Sequence, residues 1–403
     1  MFYSLVKKLF FIYILVLILT CCNNSKIKLV IWQDDSDAAC AIVNENLADF
    51  LVKNPNIILI KEKKTKDEII YGLKNNSNKA DLIRCPSEYL EDLIATKKII
   101  STKNFFNKQF YDLFIDKVLE TAKIKNEFWG IPDNFCNHII LYYNKEFIKE
   151  APKNTNDMIR LSIKFTNADK NQYGLVYNQY EPFFIHQWWS GFNARLIDDD
   201  GKITISSRQM INSFKFIYDL KYKYYIVPDV CDYKTAKLYF INKNAAMIID
   251  GEWGINEYYK ALGDNLGTSA IPIVSETDKK PVSWASSKCF VITKNVKNKN
   301  KIEAVKSLIE FMTSIEVQKK WIKYYRFPTI KALVNSDLLV NDSLLKGVWS
   351  SLLYSKNKPC KKNLDLINSA VRPYLEKLMS NDISVFKMVE EAQQYIDNID
   401  NGK

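Results

Sequence analysis

Between Lys26 and Ala95 short apolar runs alternate with amphipathic stretches, and this alternation constrains the fold more than any other feature of the chain. Lys26 to Trp32 is a β-branched, apolar run that predicts a strand, followed by a polar loop, Gln33 to Asp37. A helix is then expected to Val52, with Ile42, Val43, Leu47, Phe50 and Leu51 on one side, and Asn54-Pro55 stops it. Ile57 to Lys61 predicts a second strand, Ile69, Ile70 and Leu73 mark a short helix, and Ala80 to Arg84 predicts a third strand. Pro86 is suited to the first position of another helix, running to Ala95. Strand and helix in strict succession predict an α/β fold with a parallel, doubly wound sheet covered on both faces. Such sheets take ligands beyond the carboxyl ends of their strands. Two polar loops occupy that edge, and they offer Asp35 and Glu88 as candidate ligand-binding residues. The plainer reading of the first loop is a helix N-terminus enriched in Asp for capping.

The remainder starts a second set of elements. Asn126 to Pro132 reads as a hairpin turn leading into an extended segment, and His138 to Asn144, Tyr173 to Tyr177, Ala245 to Ile249 and Cys289 to Thr293 read as strands. Helices are expected at Arg208 to Lys221, at Lys301 to about Trp321 as one long element, and through most of Leu364 to Ile399. At 403 residues two or three domains are expected, and 47% apolar residues are enough to bury their cores.

The amino terminus carries a separate message. Lys7 and Lys8 precede an apolar run from Leu9 to Leu19, shorter than the roughly 20 residues that span a bilayer, so residues 1–21 read as an export signal. Leu19-Thr20-Cys21-Cys22 resembles the lipobox of bacterial lipoproteins, in which the cysteine after cleavage is acylated. Cys22 is the preferred register because it puts Leu19 at the leading position; Cys21 is the alternative, with Ile18 there. Acyl chains contribute about 0.8 kcal/mol of membrane affinity per methylene and would tether the body to the outer face of the membrane. The six later cysteines are widely spaced with no Cys-x-x-Cys, which argues for buried free thiols and against a zinc site.

A set of segments in fixed order resembles the extracellular solute-binding proteins of ABC importers, the family that includes maltodextrin-binding protein. They are Lys28-Leu29-Val30-Ile31-Trp32, Ala80-Asp81-Leu82-Ile83, Trp129-Gly130-Ile131-Pro132 and Leu141-Tyr142-Tyr143-Asn144-Lys145, followed by Tyr180-Glu181-Pro182-Phe183-Phe184, Ala245 to Trp253 and Ser283-Trp284-Ala285. The resemblance implies the class II type of periplasmic-binding-protein fold: two α/β lobes joined by a hinge of crossing segments, with the ligand between them. It places the first lobe at 26–134 plus 288–333 and the second at 139–284 plus 336–403. By position in the motifs it implies that Glu181 hydrogen-bonds a sugar, that Phe183 and Trp253 stack on sugar rings, and that Trp284 sits at a crossing. Trp188 and Trp189 are neighbours about 100° apart on a helix, so at most one of them faces the crevice; Trp188 is the candidate. Asn137 stands where the family carries a binding Glu, and Cys85-Pro86-Ser87-Glu88-Tyr89 stands where it carries Trp-x-x-Asp-Arg. Against these roles stand plainer ones: Trp253 as a core residue, Glu181 as a surface acid, His138 and His186 as packed imidazoles.

The function expected is a lipid-anchored extracytoplasmic receptor, a monomer, that binds a carbohydrate and delivers it to the permease subunits of an ABC importer. The alternatives are a receptor for another small polar solute and an exported glycosidase using two carboxylates. Two His, no nucleophile elbow and no phosphate loop argue against catalysis, and no cofactor or metal is expected. Removing Lys7 and Lys8 with the signal lowers the formal charge of +11 by two, and the remaining Lys are interspersed with Asp and Glu, so no nucleic-acid partner is expected.

Overall fold

Each apolar run of the amino-terminal alternation is a strand. In the computed structural model, which describes residues 26–75, 77, 79–197 and 202–400, β1 (Ile27–Gln33) lies parallel between β2 (Ile57–Lys63) and β3 (Leu82–Pro86). Cys21 and Cys22 lie outside the described residues. The helix after β1, Asp37–Lys53, starts where the Ser36 hydroxyl accepts from the Ala39 N–H, and its Ile42, Val43, Leu47 and Phe50 are buried. The next helix, Lys66–Lys74, opens on a reciprocal capping box between Thr65 and Glu68. Pro86 closes β3 opposite Lys288 instead of opening a helix; a single turn, Ser87–Tyr89, precedes the helix Leu90–Ala95.

Next come β4 (Ile99–Ile100), a hairpin of β5 (Lys123–Ile124) and β6 (Glu127–Phe128), and β7 (Ile131–Cys136). The hairpin turns at Lys125 and Asn126, both at positive φ, one residue earlier than the sequence suggested. The chain then crosses to β8 (Ile139–Asn144), β9 (Tyr173–Tyr177), β10 (Ala245–Gly251) and β11 (Leu266–Ser269), which form a four-stranded sheet in the order β11-β8-β10-β9. It returns as β12 (Trp284–Thr293), which runs antiparallel to β3, β4 and β7 and pairs in parallel with β13 (Lys356–Asn357). The first sheet is thus seven-stranded and mixed, because a returning strand was inserted beside the parallel trio. Strands β3, β7, β8 and β10 are buried at every position, as strands covered on both faces must be.

The long helix expected over Lys301 to Trp321 is two helices, Lys299–Met312 and Ile315–Lys323. Ser314 breaks it, since its hydroxyl caps the second helix by accepting from the Val317 N–H. The carboxyl-terminal helices Lys361–Met379 and Val385–Asp400 pack on the second sheet's core through Ile367, Val371, Met388 and Ile396. Between them and the first sheet, helix Leu345–Tyr354 sits behind the hinge: Val348, Trp349 and Leu352 share one apolar cluster with Leu29 and Phe327 on one side and Ile140 and Leu266 on the other. All six cysteines of the described body are free thiols.

Helix Thr155–Phe165 lies so close to β9 that only glycine fits at 174: a Cβ there would stand 2.2 Å from Ser162 Cα and 2.4 Å from its carbonyl oxygen. Backbone atoms cannot give way as a side chain can. Gly174→Ala is therefore expected to cost about 1–3 kcal/mol or more, read as a lower midpoint in denaturant unfolding.

Candidate ligand crevice between the lobes

The carboxyl ends of β1 and β3 meet over a buried arginine. Arg84, at the centre of β3, donates through Nε to Asp133 at 2.8 Å and through an Nη to Asp35, and all three side chains are out of contact with water. Burial opposes the guanidinium's charge, but the two carboxylates more than offset it and raise its pKa; Asp133 is itself raised, by burial first. Asp35 is thereby a structural acid, fixed from below by Arg84 with Lys288 Nζ 3.4 Å from its other oxygen. Its neighbour Asp34 is the partly exposed carboxylate of this loop, and it accepts from the Tyr89 hydroxyl at 2.7 Å.

The crossing from β7 to β8 turns at Asn137, in the left-handed region at φ 62°. Glu252, at the end of β10, fixes the turn by accepting from the N–H groups of Asn137 (3.1 Å) and His138 (2.9 Å). Burial works against its charge, but His138 and the field of Arg326 keep its pKa below the ordinary value. The Asn137 side chain donates to Ser286 at 2.8 Å, which ties this crossing to β12, and Ser283 donates to the Ile139 carbonyl at 2.8 Å. Asp35, Asn134, Asn137, Glu252, Trp253, Lys288 and Arg326 line a crevice of about 340 Å³ between the lobes.

Trp253, which lines the crevice, opens a run of aromatic rings in near-parallel succession through the second lobe. Trp253 lies 6.1 Å from Phe183, Phe183 5.5 Å from His186, and His186 4.1 Å from Trp284, with interplanar angles of 17°, 27° and 16°. Trp253 is held by its indole N–H, which donates to Tyr233 at 2.9 Å, and folds back over Gly251, where a Cβ would meet its ring at 2.2 Å. His186 fastens the row. Its Nε2 accepts the Trp284 N–H at 2.8 Å, so Nδ1 carries the proton and donates to the Phe183 carbonyl at 2.7 Å. Burial lowers its pKa to about 3, and it stays neutral.

Three sequence candidates, Trp188, Glu181 and Glu88, are not among the residues lining this crevice. Trp188 is fully buried against Phe216, and Trp189 is equally buried against Phe214: the helix His186–Gly191 is covered on both sides, so neither indole reaches the crevice. Glu181 is held by Arg372 at 2.5 Å, away from the residues lining the crevice. Glu88 is at a second gap of about 160 Å³, with Ala285, Asn357 and Cys360, and its carboxylate takes Lys358 at 2.9 Å. Lys358 Nζ in turn lies 4.9 Å from the centre of the Phe183 ring, which joins the two gaps along the aromatic row. Among the described residues no group of three or more His, Cys, Asp or Glu is placed to hold a metal ion.

Residues 29–347 match the family model described as bacterial extracellular solute-binding protein. This chain belongs to that family. Its curated relatives include a maltotriose-binding protein of Pyrococcus abyssi, 18% identical over 365 residues that cover 89% of this chain and 79% of the relative. The maltodextrin-binding protein MdxE of Bacillus subtilis is 22% identical over 52% of this chain and 49% of its own. Among solved structures, the maltose/maltodextrin-binding domain MalE from Bdellovibrio bacteriovorus bound to maltotriose superposes with a TM-score of 0.79 at 24% identity, over 93% of this chain and all of the other. A cyclo/maltodextrin-binding protein complexed with maltotetraose gives 0.80 at 16% identity, over 92% and 96%. The two-lobed periplasmic-binding-protein fold follows from these likenesses and from the two sheets.

In this solute-binding protein Arg326 and Lys288 line the crevice and Lys358 the second gap with no local motif to mark them, while His186 is a packed imidazole, as its plainer sequence reading has it. Lys288 stands in the middle of an apolar strand, and a lone charge there was the one usable signal.

Arg84→Leu leaves two buried carboxylates uncompensated, and a loss of about 3–5 kcal/mol is expected in denaturant unfolding. A second outcome concerns Asp250, buried beneath Trp253 and accepting from the Gly251 N–H and the Tyr258 hydroxyl. Burial raises its pKa from 3.8 to about 7, so the folded state holds a proton that the unfolded chain releases. That contribution is complete below about pH 4 and is lost as pH rises through about 7. Unfolding curves at about pH 5 and pH 8 should show a smaller difference for Asp250→Asn than for the unaltered protein.

Proposed function

We propose that the protein is an extracytoplasmic receptor that captures a carbohydrate between its lobes, returns it unaltered, and delivers it to the permease of an ABC importer. The observation that carries this reading is the row Trp253, Phe183, His186 and Trp284 opposite a lip of polar groups. Pyranose rings offer an apolar face to stack on aromatics and a rim of hydroxyls to donate and accept. Asn134 Oδ1 and Glu88 Oε2 are buried acceptors with no partner among the described residues, and each suits a ligand hydroxyl. The curated relatives named as maltotriose- and maltodextrin-binding, and the solved structures named as holding maltotriose and maltotetraose, support the same ligand class.

In this reading Trp253 and Phe183 are platforms, Asn137 and Glu88 belong to the polar lip, Trp284 ends the row at the crossing, and Asp35 acts through Arg84 as a positioning residue. Closure is a hinge motion about the Asn137 and Trp284 crossings, selected by a ligand that touches both lobes. The anchor proposed is an acyl group on Cys22, or on Cys21 in the alternative register; related lipoproteins of Streptococcus pneumoniae, 24% identical over 45% of this chain, support it. The body is proposed to act as a monomer on the outer side of the membrane.

Titration of the body with a panel of neutral and acidic mono- and oligosaccharides, followed by tryptophan emission and calorimetry, is expected to give saturable binding for at least one. Trp253→Ala should weaken it about tenfold or more, equivalent to ~1.4 kcal/mol, with the melting temperature preserved. No response to any saccharide at millimolar concentration would remove the carbohydrate assignment.

A further inference from the structure

The charges in the crevice are arranged in two levels. The acids lie underneath and are spent on protein groups: Asp35 on Arg84, and Glu252 on the N–H groups of Asn137 and His138. The cations stand above them. Lys288 keeps 18% of its side chain exposed over an Asp35 that keeps none, and Lys358 keeps 17% over 7% for Glu88. Arg326 lines the crevice beside Trp253, partly exposed, and its guanidinium has no hydrogen-bond or ion-pair partner among the described residues. Asn137 contributes an amide to the same wall, already committed to Ser286. Asp34, partly exposed, accepts from Tyr89, and the exposed Glu91 and Glu120 line the second gap beside Lys358. In the crevice beside Trp253 an entering ligand meets the Lys288 ammonium and the Arg326 guanidinium, with both lining acids buried.

Building on the carbohydrate reading, we infer that the preferred ligand is an acidic saccharide, a sugar whose ring stacks on Trp253 while its carboxylate meets Arg326 and Lys288. The physical reason lies in closure. When the lobes close and water leaves, an unpaired guanidinium loses its hydration, and a neutral sugar hydroxyl replaces it weakly. A carboxylate accepts two parallel N–H groups from the planar fork of arginine, and the bond strengthens as the crevice dries. The buried acids prevent the lysine cluster from repelling itself in the open state, and they lie too deep to repel an anion at the level of Arg326. Lys358, placed over Phe183 and paired with Glu88, offers a second cation further along the aromatic row for a ligand with a charge on each sugar unit.

The test pairs each acidic saccharide with a neutral one of similar size: trigalacturonate and trimannuronate with maltotriose, sialyllactose with lactose, and inorganic phosphate as a plain anion. Calorimetric titration at low and high salt is expected to show at least one acidic member binding tenfold or more tighter than its neutral counterpart. Salt should shrink that advantage, since part of it is Coulombic. Arg326→Gln should abolish most of it, lowering acidic-sugar affinity tenfold or more, while the melting temperature stays unchanged. If neutral saccharides bind as tightly as acidic ones, the charge inference falls and the carbohydrate receptor stands. If no saccharide binds, both fall. If phosphate competes at the affinity of the acidic sugar, the crevice recognises an anion alone and the saccharide part of the inference is overturned.

Discussion

A guanidinium without access to water holds the carboxyl ends of the first sheet together. Arg84 leaves β3 and reaches Asp35 after β1 and Asp133 in β7, so one side chain joins the loop that opens the crevice, the strand beneath it and the strand that leaves for the other lobe. Burying three charges is costly unless each is met, and here one cation meets two carboxylates while Lys288 stands 3.4 Å from Asp35. The cost gives the arrangement its specificity. Losing any one of the three leaves a buried charge unmet, so the pairing ties the Asp34–Ser36 loop to the sheet beneath it.

The hinge obeys the same logic with backbone donors. Glu252 accepts the consecutive N–H groups of Asn137 and His138, where the left-handed backbone of Asn137 turns the chain from one sheet to the other. Trp253 follows Glu252 directly, and Asn137 is bound to β12 through Ser286. Trp253, the Asn137 crossing and β12 are therefore tied to one another through Glu252 and Ser286. His186 holds Phe183 and Trp284 through two directed bonds on a ring that stays neutral at any ordinary pH.

The alternation of strands and helices was readable because it depends on local periodicity, which β1 to β3 and their helices carry intact. The crossing at Asn137 and the aromatic turn at Trp253 were readable only through the resemblance to a family, since Glu252 fixes the Asn137 backbone from 115 residues away. Which of Asp34 and Asp35 turns inward was not readable. Arg84 decides it from 49 residues away, and nothing in a five-residue loop records that partner. The same holds for Trp188: helical geometry allowed one of two adjacent indoles to face the crevice, but Phe216 and Phe214 come from a separate helix and cover both. Glu181 kept its motif and lost its availability, because Arg372 arrives from the carboxyl-terminal helix.

The position of the helix Lys361–Met379, which carries Arg372, also bears on how the lobes are joined. β13 adds to the first sheet through β12, and three residues later Cys360 caps Lys361–Met379, which packs on the second lobe and supplies Arg372 to Glu181. Lys358 sits on the short bridge between the two, with Glu88 of the first lobe on its ammonium and Phe183 of the second beneath it. A rotation of one lobe against the other must stretch one of these contacts. The ion pair is the weaker constraint in the presence of a competing anion, and the cation–π contact adds only about 0.5–2 kcal/mol. Lys358 thus touches both lobes at once through a single side chain.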